Sequence, residues 1–155
     1  MDRKKHKRIV VGAVLIAALI MFGTGMKKAE ATYIDDAAFC AIVSGLYQGM
    51  GEQYCALALY YNDYSYYWNA YIYFEAAANQ ASDAAIYASY SSAYYAYDAY
   101  VAALNAVTYL DASTAQAYDA WYYYNPPDSG NLAVNYGGLA AQYLAFTQYY
   151  AAYLY

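Results

Sequence analysis

Aromatic and aliphatic residues recur along much of this chain at steps of three and four, the spacing that draws a stripe down one face of an α-helix. Tyr60, Tyr64, Tyr67, Tyr71 and Phe74 form one row; Tyr87, Tyr90, Tyr94, Tyr97, Val101 and Leu104 form a second; Tyr136, Leu139, Tyr143, Phe146, Tyr150 and Tyr153 form a third. Tyrosine by itself favours strands, but the alternation a half-buried strand needs is confined to short stretches such as Tyr64-Ser65-Tyr66 and Tyr71-Ile72-Tyr73. Alanine, the strongest helix former, is interleaved throughout. The pattern predicts an all-α protein in which the rows supply packed helix faces.

The interruptions set the expected boundaries. Gly45, Gly49 and Gly51 break the first segment, and Ser82 with Asp83 reads as a helix start, a capping hydroxyl followed by an acid at the positive helix end. Asp111 or Ser113 offers another cap. Asn125-Pro126-Pro127-Asp128-Ser129-Gly130 is the firmest stop, and Gly137-Gly138 delays the last helix to about Leu139. About five helices follow, near 35–47, 53–79, 83–109, 112–124 and 132–154, as a helical bundle or stacked helical hairpins. Ala-Tyr-Asp-Ala occurs at 96–99 and again at 117–120, an offset of 21 residues or three heptads. On one unbroken helix Cys40 and Cys55 would lie about 22 Å apart, beyond disulfide reach. With a reversal at 45–51 the two helices run antiparallel, and a Cys40–Cys55 bridge clamping the hairpin is expected, with an intermolecular bond as the alternative.

The N-terminus has a different character. Met1-Asp2-Arg3-Lys4-Lys5-His6-Lys7-Arg8 is basic, an apolar run extends from Ile9 to about Phe22, and Ala29-Glu30-Ala31 is a small-x-small site. Together these are the parts of a secretory signal, expected to be cleaved after Ala31; an apolar run this short falls below the roughly 20 residues of a spanning helix. The alternative is an uncleaved anchor. The expected organisation is a signal at 1–31 and one tyrosine-rich helical domain at 32–155, extracellular or at the cell surface.

Cleavage changes the charge. All seven Lys and Arg and the single His lie before residue 32, whereas of twelve acids only Asp2 and Glu30 do, so 32–155 carries ten carboxylates and a formal side-chain charge of −10. Phosphate contacts to nucleic acid need Lys or Arg, and an anionic membrane surface would repel this domain; neither is expected as a partner. Without His or Lys there is no side-chain base of the usual kind and no Ser-His-Asp or Cys-His set, and the chain holds no GxxxxGK[ST] loop. No enzymatic role, no cofactor and no metal site is expected. Asp35-Asp36 reads as a helix N-terminal pair, and Asn62-Asp63 lacks the spacing of a calcium loop. Two cysteines suit an oxidising compartment. Trypsin should find no site beyond Ala31.

The tyrosines carry the remaining signal. All 27 lie in the 124 residues after the expected cut, more than one in five. Rings also fall off the rows, at Tyr61, Tyr66, Trp68, Tyr73, Tyr95 and Tyr100 and in the run Trp121-Tyr122-Tyr123-Tyr124. A domain this size cannot bury rings on every helix face, and exposed aromatic surface marks interaction sites. These residues are therefore the expected contacts of a self-assembling filament, coat or matrix subunit whose partner is itself. Two alternatives stand beside it: a tyrosine-based redox conduit or dityrosine cross-linkable envelope component, and an aromatic-surface binding module for glycans or small ligands.

Overall fold

The computed structural model describes residues 33–91, 93–124 and 126–152. The expected secretory signal at 1–31 and its cleavage site lie outside them. The described residues form helices α1 (Tyr33–Tyr61), α2 (Ser65–Tyr90), α3 (Ala96–Tyr122) and α4 (Pro126–Ala152) joined by short turns. Each packs on its neighbour in the chain, α4 closes onto α1, and the diagonal pairs barely touch. The result is an up-down-up-down four-helix bundle.

The core follows a three-four rhythm, but on positions beside much of the aromatic pattern rather than on it. In α1 the buried positions include Ile34, Ala37, Ala41, Ser44, Gln48, Gly51, Cys55 and Ala58; in α2 they include Tyr67, Ala70, Phe74, Ala77, Ala81, Ala84 and Ala88. In α3 they include Ala96, Ala99, Ala103, Ala106, Leu110, Ser113, Ala117 and Ala120, and α4 continues with Gly130, Ala133, Gly137, Ala140, Leu144, Thr147 and Ala151. These are heptad core positions, filled mostly by residues small enough for the backbones to approach closely. Tyr67 and Phe74 are the core members of the first aromatic row. In the second row Tyr90, Tyr94, Tyr97, Val101 and Leu104 are exposed. The repeated Ala-Tyr-Asp-Ala has a plain cause: both copies lie on α3 in one heptad register, alanines at core positions and Tyr-Asp outside.

Glycines fit the few large core side chains. A Cβ on Gly51 would stand 2.8 Å from the Phe74 ring and one on Gly137 3.3 Å from it, while one on Gly130 would collide with the Tyr67 hydroxyl. Buried polar side chains are satisfied locally: Ser44 Oγ donates to the Ala77 carbonyl across the α1–α2 contact at 2.7 Å, and Ser113 and Thr147 donate to the carbonyls four residues back at 3.0 Å.

Several expected boundaries are corrected. Gly45, Gly49 and Gly51 do not break α1, which runs unbroken to Tyr61. The reversal comes at Asn62-Asp63: Asn62 takes φ 51°, and the Asp63 N–H reaches back to the Ala58 carbonyl at 3.2 Å, a Schellman-type close. Asp63 Oδ1 then accepts the Ser65 N–H at 3.0 Å and opens α2. Ser82 and Asp83 lie inside α2, and Ser113 is buried within α3, so neither region starts a helix. The turn at 91–95 was not anticipated; there Ser91 Oγ accepts the Ala93 N–H at 3.2 Å. α3 ends at Tyr122, just ahead of the expected stop at Asn125–Gly130, but α4 already begins at Pro126, where a missing N–H costs nothing, and Gly137-Gly138 does not delay it. Among the described residues four long helices stand where about five were expected.

The disulfide is corrected with the hairpin. Cys40 and Cys55 lie on one continuous α1, both free and buried. Their helix rise of about 22 Å excludes a bond between them. Burial pushes the Cys55 thiol up to about 12, with nearby Glu52 adding to it. Burial, then Asp83 and Asp36, raises that of Cys40. Thiols held protonated in this way are poor nucleophiles.

Candidate interaction surface

Because the core positions are small, the rings sit beside them, at the seams between helices. Along the α1–α2 seam Tyr47, Tyr73, Tyr54, Tyr66, Tyr61 and Tyr60 form a continuous ladder, tightest at the stacked Tyr54–Tyr73 pair with centroids 5.3 Å apart and at Tyr60–Tyr61, edge to face at 4.9 Å. On α2–α3 the two tryptophans meet, Trp68 and Trp121 at 4.8 Å, flanked by Tyr71, Tyr118 and Tyr122. On α3–α4 a third ladder runs from Tyr136 through Tyr109, Tyr143, Phe146 and Tyr150 to Tyr95 and Tyr94. Rings such as Tyr47, Tyr54, Tyr66, Tyr71, Tyr109, Trp121 and Tyr143 are partly buried and pack against the core. The Tyr73 hydroxyl is raised above its ordinary pKa by burial first and then by the facing Tyr54 and Tyr47.

Exposure then separates two populations. Among the described residues, every tyrosine more than half exposed lies within a turn of a helix end, from Tyr33 and Tyr149 at 53% to Tyr94 at 84%. Mid-bundle tyrosines such as Tyr47, Tyr73, Tyr109 and Tyr143 are half-buried in the seams. Alternating helix direction brings residues 62–64 and 123–124 to one end, where Tyr64 and Tyr124 meet edge to face at 5.6 Å. This end carries Tyr60, Tyr61, Tyr122, Tyr123 and Tyr124, with Asp63, Asp119 and Asp128 close by in sequence. The other end carries Tyr33, Tyr90, Tyr94, Tyr97 and Tyr149, and Tyr33 and Tyr90 are in contact at 5.8 Å. Asp35, Asp36 and Asp98 belong to its helix starts. Tyr124 holds a φ of 50°, a left-handed conformation unfavourable for a bulky residue and retained against the Tyr64 ring.

The expected contact residues therefore divide. Tyr61, Tyr122, Tyr123 and Tyr124 are exposed together at one end. Trp68 and Trp121 pair beside them, while Tyr66 and Tyr73 belong to the α1–α2 ladder. Tyr95 and Tyr100 are half-buried at the opposite end. Sequence reasoning missed Tyr90, Tyr94 and Tyr97, which it placed on a packed row. The alanines at three-four steps just beside them were the available signal.

No helix among the described residues is long and apolar enough to cross a membrane, and no group of three or more His, Cys, Asp or Glu among them is placed to hold a metal ion. No protein-family model, curated protein or solved structure matches the chain.

Proposed function

We propose that the chain is an exported structural subunit that assembles with copies of itself, end to end, through its exposed tyrosines. One observation carries this: among the described residues, every tyrosine more than half exposed lies at one of the two opposite ends of the bundle, while the mid-bundle tyrosines are covered in its seams or its core. The two ends present different residues, so a contact between them is head-to-tail, and such a contact extends into a fibre unless its rotation closes a ring. Tyrosine suits the task because its ring supplies apolar area and its hydroxyl can stay hydrogen-bonded. The domain has no cation to neutralise its carboxylates, so like-charge repulsion opposes assembly at low salt and is screened within about 10 Å at 0.1 M.

The test is negative-stain electron microscopy of the native protein at low and at moderate salt, with a Tyr122→Ser/Tyr123→Ser variant alongside. Regular fibres that grow with salt and are lost in the variant support the reading. Dispersed particles of monomer size at both salts overturn it.

A second reading rests on the ladders themselves. Unbroken ring contacts from Tyr136 to Tyr94 favour a phenol-rich envelope component open to dityrosine cross-linking or hole transfer. Dityrosine fluorescence in native material supports it; its absence, with no redox current at tyrosine potentials, removes it.

A further inference from the structure

On its α3 side the α3–α4 ladder lacks one ring. Tyr95, Ala102 and Tyr109 occupy successive equivalent turns of α3 on the side facing α4, and the middle one is alanine. Opposite the gap α4 still supplies a full set of rings, Tyr143, Phe146 and Tyr150, with neighbouring centroids 6.2 and 6.4 Å apart. Beside the missing ring is an open groove of about 370 Å³, lined on α3 by Tyr97, Val101 and Ala102 and on α4 by Tyr143, Phe146 and Tyr150. That volume lies within the range of small-ligand sites, about 300–1,000 Å³.

Its polar groups include no cation. Asp98 supplies the groove's single charge and Asn105 an amide. No cationic side chain exists anywhere in 32–155 to answer that carboxylate. Ring faces with a carboxylate at the rim have a defined preference: the negative faces attract a diffuse positive charge, and methylated ammonium groups, which are weakly hydrated, gain most. An anion would meet Asp98, and a neutral ligand would leave the charge unused.

We propose that this groove binds a small organic cation of the quaternary or methylated ammonium class, with Tyr97, Tyr143, Phe146 and Tyr150 as the aromatic walls and Asp98 as the counter-ion. The groove begins at one end of the bundle, at Tyr97 and Asp98, and continues along its side past Ala102, Tyr143 and Phe146, so binding is measured on the monomer, where end-to-end contacts do not compete for it.

The experiment is isothermal titration of the purified full-length chain, at a salt and concentration where it is monomeric, with choline and with its neutral carbon isostere 3,3-dimethylbutan-1-ol. Choline binds saturably at one site, and the isostere about tenfold more weakly or not at all. Asp98→Asn weakens choline about threefold or more, in line with an exposed carboxylate. Asp111→Asn removes the same charge from the same helix, about 20 Å along its axis, and leaves binding unchanged. Ala102→Tyr fills the gap and abolishes binding while the circular dichroism stays helical. Absence of saturable choline binding overturns the proposal. So does equal affinity for the isostere, an equal loss in Asp111→Asn, or choline binding retained in a folded Ala102→Tyr chain.

Discussion

The interior of this bundle and its seams divide the work of a hydrophobic core in an unusual way. Inside, alanine, glycine and serine occupy most of the heptad positions, and only a few side chains such as Tyr67, Phe74, Leu110 and Leu144 are both large and fully buried. At the seams, large rings lie in ladders, half covered. Small residues bury little area each but let helices approach to the lower end of the usual 8–10 Å separation. That approach brings the flanking positions of neighbouring helices within reach of each other, and rings there recover the apolar burial the interior lacks. The interior thus fixes geometry, and the seams supply much of the area.

Alkaline titration should split the two populations most sharply. Burial raises the Tyr67 phenol from its ordinary 10.0 to about 12, with Cys55 and Tyr64 adding to it, and raises the Cys55 thiol from 9.0 to about 12. Both groups are therefore held neutral in the folded state and ionise sooner in the unfolded chain. Their contribution is complete below about pH 9 and is lost as pH rises through about 12. Denaturant midpoints should be flat in this respect below pH 9 and fall steeply above it. In Tyr67→Phe the fall should be shallower. A midpoint independent of pH from 9 to 12 would mean that neither group is buried as described.

Substitutions in the interior come next. Phe74→Ala should cost about 3–5 kcal/mol, because a rigid alanine lattice collapses poorly into the space vacated. The glycines then offer a test of sign. Gly51→Ala places a methyl 2.8 Å from the Phe74 ring and should destabilise by about 1–3 kcal/mol. Gly45→Ala and Gly49→Ala on the same helix meet nothing within 4 Å and should each stabilise by roughly 0.5–1 kcal/mol through helix propensity. Thermal melts of the three variants decide it; a Gly51→Ala that melts higher than the parent would show that Phe74 does not rest on Gly51.

How far the chain could be read in advance follows from the same contrast. Helicity was legible in the three-four spacing, and so was the break at Asn125-Pro126-Pro127. The buried face was not. Two stripes share one period in these helices, one of alanine and one of tyrosine, and hydrophobicity alone does not choose between them. Size does, because only the alanine stripe allows close backbone approach; Tyr97 and Ala96 are adjacent in sequence, yet Tyr97 is 73% exposed and Ala96 is buried. Glycine misled for a related reason. Gly51 and Gly137 read as breaks, yet they are core residues that accommodate Phe74. The true reversal at Asn62-Asp63 carried a readable turn signal, whereas the turn at 91–95 holds neither glycine nor proline. Once the first break was misplaced, the expected disulfide followed from it. The concentration of exposed tyrosines at the two ends required the helix lengths and could not be had without them.

The smallest expected effect tests whether the seams contribute through specific ring geometry or through area alone. Tyr54 and Tyr73 stack at 5.3 Å with planes 10° apart. Tyr54→Ala and Tyr73→Ala each lose buried area, but each also removes contacts to other rings of the ladder, so neither single value isolates the pair. The double-mutant cycle does. Area loss at independent sites adds, whereas a stacked pair should leave a coupling of about 0.5–1.5 kcal/mol. The same cycle between Tyr54 and Tyr109, which lie in separate ladders, should close within about 0.3–0.5 kcal/mol. If the Tyr54–Tyr73 cycle also closes to that level in denaturant melts, the ladders act only as apolar cover, and leucine at the half-buried seam positions should serve the fold as well as tyrosine. Retention of tyrosine at the seams would then have to be explained by cross-linking, redox chemistry or contacts between copies, and stability would no longer account for it.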